Sequence, residues 1–275
     1  MQNITIIRPK DHFRWSDLSK LWEYHELLYY LTWRDLKVRY KQTIVGVAWV
    51  VFQPFVSMVV FSVIFGQLAG IPSDGVPYPI FVFIGLLFWQ FFASALSDIS
   101  NCLINNQHII SKVYFPRVLL PISLILTRLV DFAVAALILV GLMIYYRFMP
   151  NIWVGLAIFP LLLAMTFAAC LGFGLFLAAL NVKYRDVRFI LPFFIQIMMY
   201  LTPVVYSTTI VGHKHAWIFA FNPMSSVIKN ARSAFLGVWQ VNWLELGLST
   251  AVCLVALAIG WAYFRKVEKD SVDLM

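Results

Sequence analysis

The chain has 275 residues, 61% of them apolar and only 12% Asp, Glu, Lys or Arg, about half the ~25% charged share of a soluble domain. This excludes a large soluble domain and points to an integral membrane protein. The net charge of +8 then fits the surface of an anionic membrane and not nucleic acid.

Residues 1–15 read as a polar arm, and their apolar stretch at 4–7 is too short for a signal peptide. Ser16 and Asp17 can cap a helix from about Leu18, in which Trp22, Leu28, Leu31 and Leu36 mix with charges. This predicts an amphipathic helix, or two, in the membrane interface, or equally a helix that packs on a partner protein. Arg34, Lys37, Arg39 and Lys41 then crowd the entry to a first apolar span, residues 44–69, with Pro54 inside it. A basic entry of this kind orients the span with its start on the cytoplasmic side.

Five further spans are expected, at 78–96, 118–146, 152–180, 189–206 and 244–264. Residues 70–77 and 147–151 read as outer turns. Residues 97–117 are too polar to span and read as a cytoplasmic helical element. Residues 207–243 read as an outer segment with short interfacial or re-entrant helices at 217–221 and 227–237, broken at Asn222-Pro223. Arg147, Lys214, Lys229 and Arg232 fall outside in this layout and Arg128 lies within span three, so the other 16 of the 21 Lys and Arg fall inside. The predicted fold is all-α and polytopic, with six spans and both termini cytoplasmic. An arm and interface helix occupy 1–43, the membrane domain 44–264 and a cytoplasmic tail 265–275.

Catalytic chemistry finds no foothold. None of the 13 glycines precedes a Lys, so no phosphate-cradling loop can form and no ATP site is expected on this chain. No H-E-x-x-H motif occurs, and no acidic cluster suggests a catalytic site. Neither a metal nor a catalytic residue is expected; His213-Lys214-His215 is short of ligands, and Cys102, Cys170 and Cys253 read as small core residues. Arg128 and Asp131 read as an ion pair internal to span three in preference to a proton relay, since no second acidic residue is in view. Gly172 and Gly174 in LGFGLFLAAL offer small faces for close helix packing. The aromatics divide between lipid, the interfaces and a possible conduit, where sugar faces can slide over rings. Trp49, Phe52 and Tyr200 are candidates for that path. Pro203, Tyr206, Asn222 and Pro223 are candidates for an exit gate at its outer end, with a fixed re-entrant plug as the alternative.

Three stretches carry a family resemblance: RDLKVRYKQTIVGVAWVVFQP at 34–54, SKVYFPRVLLP at 111–121, and LNVKYRDVRFILPFFIQIMMYLTPVVY at 180–206 followed by Asn222-Pro223. They resemble permease subunits of ABC exporters for bacterial polysaccharides, the O-antigen export permeases above all. The resemblance implies a bacterial inner-membrane permease for lipid-linked polysaccharide. It would work as two copies of the chain with two separate ATP-binding subunits, which hold the ATP and Mg. It also implies that the loop after span two docks on the ATPase; Ile109, Val113 and Tyr114 are the expected contacts, with Lys112 at the rim. Arg34, Lys37, Arg39 and Lys41, joined by Lys183, Arg185 and Arg188, are candidates for the anionic headgroup of the lipid carrier, or serve only to orient the chain. Two other classes remain open at this point: an ABC permease for small hydrophobic compounds, and a membrane-embedded glycosyl- or acyltransferase.

Overall fold

A computed structural model describes residues 22–41, 46–73, 75–148, 152–184, 186–208, 219–236 and 243–270. The polar arm, the Ser16–Asp17 cap, Arg185, the His213-Lys214-His215 motif and the first two residues of the expected 217–221 helix lie outside the described residues, as do residues 271–275 of the tail. The described elements are α1 (His25–Lys41), α2 (Gly46–Phe61) running into a wider π turn (Ser62–Leu68), α3 (Tyr78–Ser100), α4 (Cys102–Asn105), α5 (Gln107–Ile110), α6 (Leu119–Tyr145), α7 (Ile152–Lys183), α8 (Val187–Leu201), α9 (Pro223–Leu236) and α10 (Trp243–Asp270). Among the described residues there is no strand.

Among the described residues, five segments are long and apolar enough to cross a membrane: Ala48–Leu68, Tyr78–Ser100, Leu119–Tyr145, Trp153–Lys183 and Trp243–Glu268; α8 is shorter. The chain is thus an all-α multi-pass membrane protein, with one change to the expected fifth span. At 15 residues, α8 is about 22 Å long, less than the ~30 Å hydrocarbon core. It stops at Leu201, not Tyr206. Thr202 is extended (φ −96°, ψ 137°), because the ring of Pro203 disfavours helix at the residue before it.

Two other elements also differ from expectation. The helix expected at 227–237 begins at Pro223, where Asn222 caps it: the Met224 N–H donates to Asn222 Oδ1 at 3.1 Å, and Pro223 fills a first-turn position that needs no donor. This α9 is set into the bundle. Met224, Val227, Ile228, Ala231 and Ala234 are buried, and it packs against α7, α3 and α10. At the other end of the chain, α10 runs six residues past the expected span end, through 265–270.

The core is built round α3. Along its most apolar stretch 78% of residues are buried, against 17% for the first span. Phe81, Phe83 and Phe88 are wholly enclosed. In lipid the hydrophobic effect does little to hold helix on helix, so close packing must. The small residues of α7 supply it. A Cβ at Gly260 would lie 2.1 Å from the Gly172 carbonyl oxygen, and one at Gly174 would lie 2.7 Å from Ile99. The backbones of α7 and α10 therefore touch. Many of the aromatics are core: Phe88, Phe91 and Phe159 all contact Phe132, with ring centroids 5.3 to 6.0 Å apart.

Candidate functional site

Two polar assemblies stand out. One lies at the near end of the bundle, where α4 and α5 sit, and one at the far end, where α3 begins.

At the near end, α1 lies against α6 and delivers Arg39 and Tyr40 to an ion-pair network. Arg128 of α6 grips the Asp98 carboxylate of α3 with both arms, Nε to Oδ2 at 2.6 Å and Nη2 to Oδ1 at 3.0 Å. It reaches Asp131 at 3.1 Å as well. Arg39 bridges the same two acids, at 2.7 Å to Asp131 and 3.3 Å to Asp98. The Tyr40 hydroxyl donates to the other Asp131 oxygen. Two cations and two anions thus cancel within a partly buried cluster that joins α1, α3 and α6. The expected pair internal to span three is only one edge of it, and the second acidic residue that the sequence did not reveal is Asp98. Burial, helped by the hydrogen bond to Asp131, pushes the Tyr40 phenol up to about 12. Directly beside the network is a cavity of about 70 Å³ lined by Gln53, Gln90, Ser94, Arg128, Asp131 and Phe132, among others.

The loop beyond α3 is anchored on both sides. Asn181, buried at the end of α7, donates to the Ser100 carbonyl at 2.9 Å and to Asn101 Oδ1 at 3.1 Å. From α1, Arg34 donates to Asn106 Oδ1 at 3.0 Å. Cys102, Leu103 and Phe115 are buried beneath. What projects is the tip. Tyr114 is 96% exposed and Val113 54% exposed; Lys112 is exposed, while Ile109 is half-buried against the chain's own core. Tyr114 and Val113 therefore offer the larger apolar surface to a partner.

The basic residues separate into two kinds. Arg34 pairs with Asp35 at 2.7 Å and Arg39 belongs to the network. Lys37, Lys41, Lys183 and Arg188 are exposed, with Lys37 over Trp33 at 5.4 Å, Lys183 over Tyr184 at 5.4 Å and Arg188 over Phe189 at 4.7 Å. The exposed face of α1 also carries Tyr29, Tyr30 and Trp33, and Trp22 is exposed just before it, a mixture suited to headgroup depth. Among the path candidates, Trp49 and Phe52 lie together on the exposed side of α2 with ring centroids 5.8 Å apart, and Tyr200 is exposed on α8.

At the far end, the turn after α8 is enclosed. Thr202, Pro203, Val204 and Val205 are buried. Asn222 Nδ2 donates to Thr202 Oγ1 at 2.9 Å, Tyr78 Oη to the Val205 carbonyl at 2.7 Å, and Tyr206 Oη to the Tyr200 carbonyl at 3.1 Å. The residue that the sequence did not single out is Arg232 of α9, which was counted with the outer charges. It is 6% exposed and donates to the carbonyls of Phe81 at 3.1 Å, Pro203 at 2.7 Å, Tyr206 at 3.3 Å and also Val204. Lys229 is paired with Glu245 of α10. Two of the four charges counted against the six-span layout are therefore held by partners within the fold. Among the described residues, no three His, Cys, Asp or Glu side chains gather as a metal site would need.

The arrangement has the parts of a transport unit: a bundle of apolar helices, an anchored loop with an exposed apolar tip, and a broken helix at the opposite end. Comparison with known proteins gives the family. The description of the ABC-2 type transporter family matches residues 26–236, from α1 through α9. The chain belongs to the ABC-2 type transporter family. Within it, the chain is similar over most of its length to proteins named O-antigen export system permease protein RfbA. The Klebsiella pneumoniae protein is 28% identical, the match covering 91% of this chain and 95% of the relative; the Myxococcus xanthus protein is 29% identical, covering 88% and 89%. The polysialic acid transport protein KpsM of Escherichia coli is 20% identical, covering 86% and 91%. The family match spans both polar assemblies and the exposed loop tip.

Proposed function

We propose that the chain is the membrane permease of an ABC exporter that carries a lipid-linked polysaccharide, O-antigen in the first instance, out across the bacterial inner membrane. The observation that carries this reading is the end-to-end similarity to O-antigen export permeases from two organisms, joined by a polysialic acid transport protein. In this reading the near end faces the cytoplasm together with both termini, as the basic entry at Arg34–Lys41 requires. The working unit is two copies of the chain with two ATP-binding subunits. Those subunits hold the ATP and Mg and supply the energy, while this chain supplies the path and no catalytic group.

The tip at Val113 and Tyr114 is the docking point for the ATP-binding subunit, with Lys112 at its edge and Ile109 supporting it from behind. A large aromatic exposed at 96% is the kind of side chain that carries binding energy once it enters a pocket. Lys37, Lys41, Lys183 and Arg188 meet the anionic headgroups of the bilayer or of the carrier lipid.

Deletion of the gene tests the function. Polymer should vanish from the cell surface and accumulate on its lipid carrier inside, and the intact gene should restore export. Surface polymer unchanged by the deletion would remove the reading. A new sensitivity to hydrophobic compounds, with surface polymer intact, would move the assignment to small-molecule export. Tyr114→Asp should weaken capture of the ATP-binding subunit at least tenfold while the permease still inserts and folds.

A further inference from the structure

The irregular turn that ends α8 presents a problem that membrane proteins must solve. Where a helix unwinds, its carbonyls lose their partners, and at membrane depth water does not replace them. Residues 202–207 show one solution. The carbonyl of Val205 takes the Tyr78 hydroxyl at 2.7 Å, and the carbonyls of Pro203, Val204 and Tyr206 all turn to one guanidinium, that of Arg232. The same group reaches back to the Phe81 carbonyl at 3.1 Å and lies 3.6 Å over the Phe81 ring.

An arginine suits this position and a lysine does not. The planar fork offers five N–H donors in fixed directions, whereas an ammonium offers three about a point. Room for it is made on α3, where a Cβ at Gly85 would come within 2.5 Å of the Val204 carbonyl oxygen and 2.6 Å of the guanidinium. Asn222 adds a second tie from the cap of α9 to Thr202 at 2.9 Å. The turn is therefore bound on one side to α3 and on the other to α9.

The helix that it terminates is held quite differently. Within α8 only Leu191 is buried, and Phe189, Ile190, Phe193 and Phe194 are exposed. Burial changes abruptly at Leu201–Thr202, where the backbone also leaves the helix.

We propose that Arg232 is the positioning residue of the far end: it fixes the 202–207 turn to α3 and α9 as one body, so that α8 moves by swinging about Thr202 while α9 stays in place. The moving part of the exit is then the short fifth helix, and the outer helix α9 is its fixed frame. The consequence for export rests on the permease reading above; the rigidity of the turn does not.

The test uses the purified permease with its ATP-binding subunit, as wild type, Arg232→Gln and Arg232→Lys. Amide hydrogen exchange of residues 204–207 and 223–236 is followed together with polymer exported per ATP hydrolysed. Arg232→Gln should speed exchange in 204–207 at least tenfold, leave 223–236 within twofold, and cut export per ATP at least tenfold. Arg232→Lys should fall between the two. Unchanged exchange in 204–207 overturns the proposal. So does a joint rise over both segments with export per ATP preserved, because Arg232 would then serve only to hold α9 folded. Should Arg232→Gln fail to assemble, Gly85→Ala reaches the same contacts from α3 and must give the same pattern at smaller amplitude. If wild type exports no polysaccharide, the functional reading fails, and the exchange data still decide the role of Arg232.

Discussion

The two ends of the molecule enclose arginines by opposite means. At the near end Arg39 and Arg128 lie against two carboxylates, so charge meets charge and the cluster is neutral. At the far end Arg232 lies under backbone carbonyls and a ring, so charge meets dipoles. The first arrangement ties three helices side by side and has redundant links, since each acid has two arginine partners. The second stabilises one irregular stretch of backbone chiefly through one guanidinium, with Tyr78 and Asn222 beside it. An ion-pair network fixes which helices adjoin, whereas a guanidinium on carbonyls fixes the path of the chain itself.

Removing charge from the near network should have the largest effect on stability. Arg128→Met leaves Asp98 and Asp131 to share Arg39, and an uncompensated carboxylate in a partly buried site costs on the order of 3 kcal/mol. Thermal unfolding of the purified complex should show a fall of several degrees. Adding Asp98→Asn should recover more than half of it, because charge is balanced again; no recovery would mean that the network is not held by its neutrality.

Next is the far end. Gly85→Ala should cost about 1–2 kcal/mol by pushing on Val204 and Arg232. Gly141→Ala, where an added Cβ meets nothing within 4 Å, should be neutral or stabilising by up to about 1 kcal/mol. Equal melting temperatures for the two would break the contrast. The smallest loss belongs to Tyr40→Phe, which removes one hydrogen bond to a carboxylate that keeps two arginines, about 1 kcal/mol.

That variant also has a pH signature. The folded state holds the Tyr40 proton more tightly than the unfolded chain does, with the phenol raised from 10 to about 12. Its contribution is therefore complete below pH 10 and is lost as pH rises towards 12. The stability gap between wild type and Tyr40→Phe should narrow over that range; a constant gap would place the hydroxyl outside the network.

Most of the fold was legible because charged residues are rare in the spans and because Gly172 and Gly174 mark a close crossing. The places that misled are those where a polar residue belongs to the bundle. Asp98 follows an apolar run at the start of a stretch read as a cytoplasmic helical element, so its bond to Arg128 some thirty positions on could not be seen. Arg232 sits in a segment that periodicity divided differently. A signal was nevertheless present, since the excess of positive charge outside was concentrated in that one segment, against the usual bias. The early stop of α8 was foreseeable from the Thr202-Pro203 pair, but a proline can also sit inside a helix, as Pro192 does in α8 itself. Which outcome prevails depends on whether the freed carbonyls find donors, and those come from α3 and α9.

The contact between Gly172 and Gly260 bears on how the protein is made. The two glycines are 88 positions apart in the chain. At ~5–20 residues per second on the ribosome, residue 260 follows residue 172 by roughly 4 to 18 s. For that interval the grooved face of α7 is in the bilayer with nothing to fill it but lipid. Once α10 arrives, only a bare backbone can enter the groove. A nascent chain bearing even an alanine at residue 260 would have to hold α7 and α10 farther apart at this crossing.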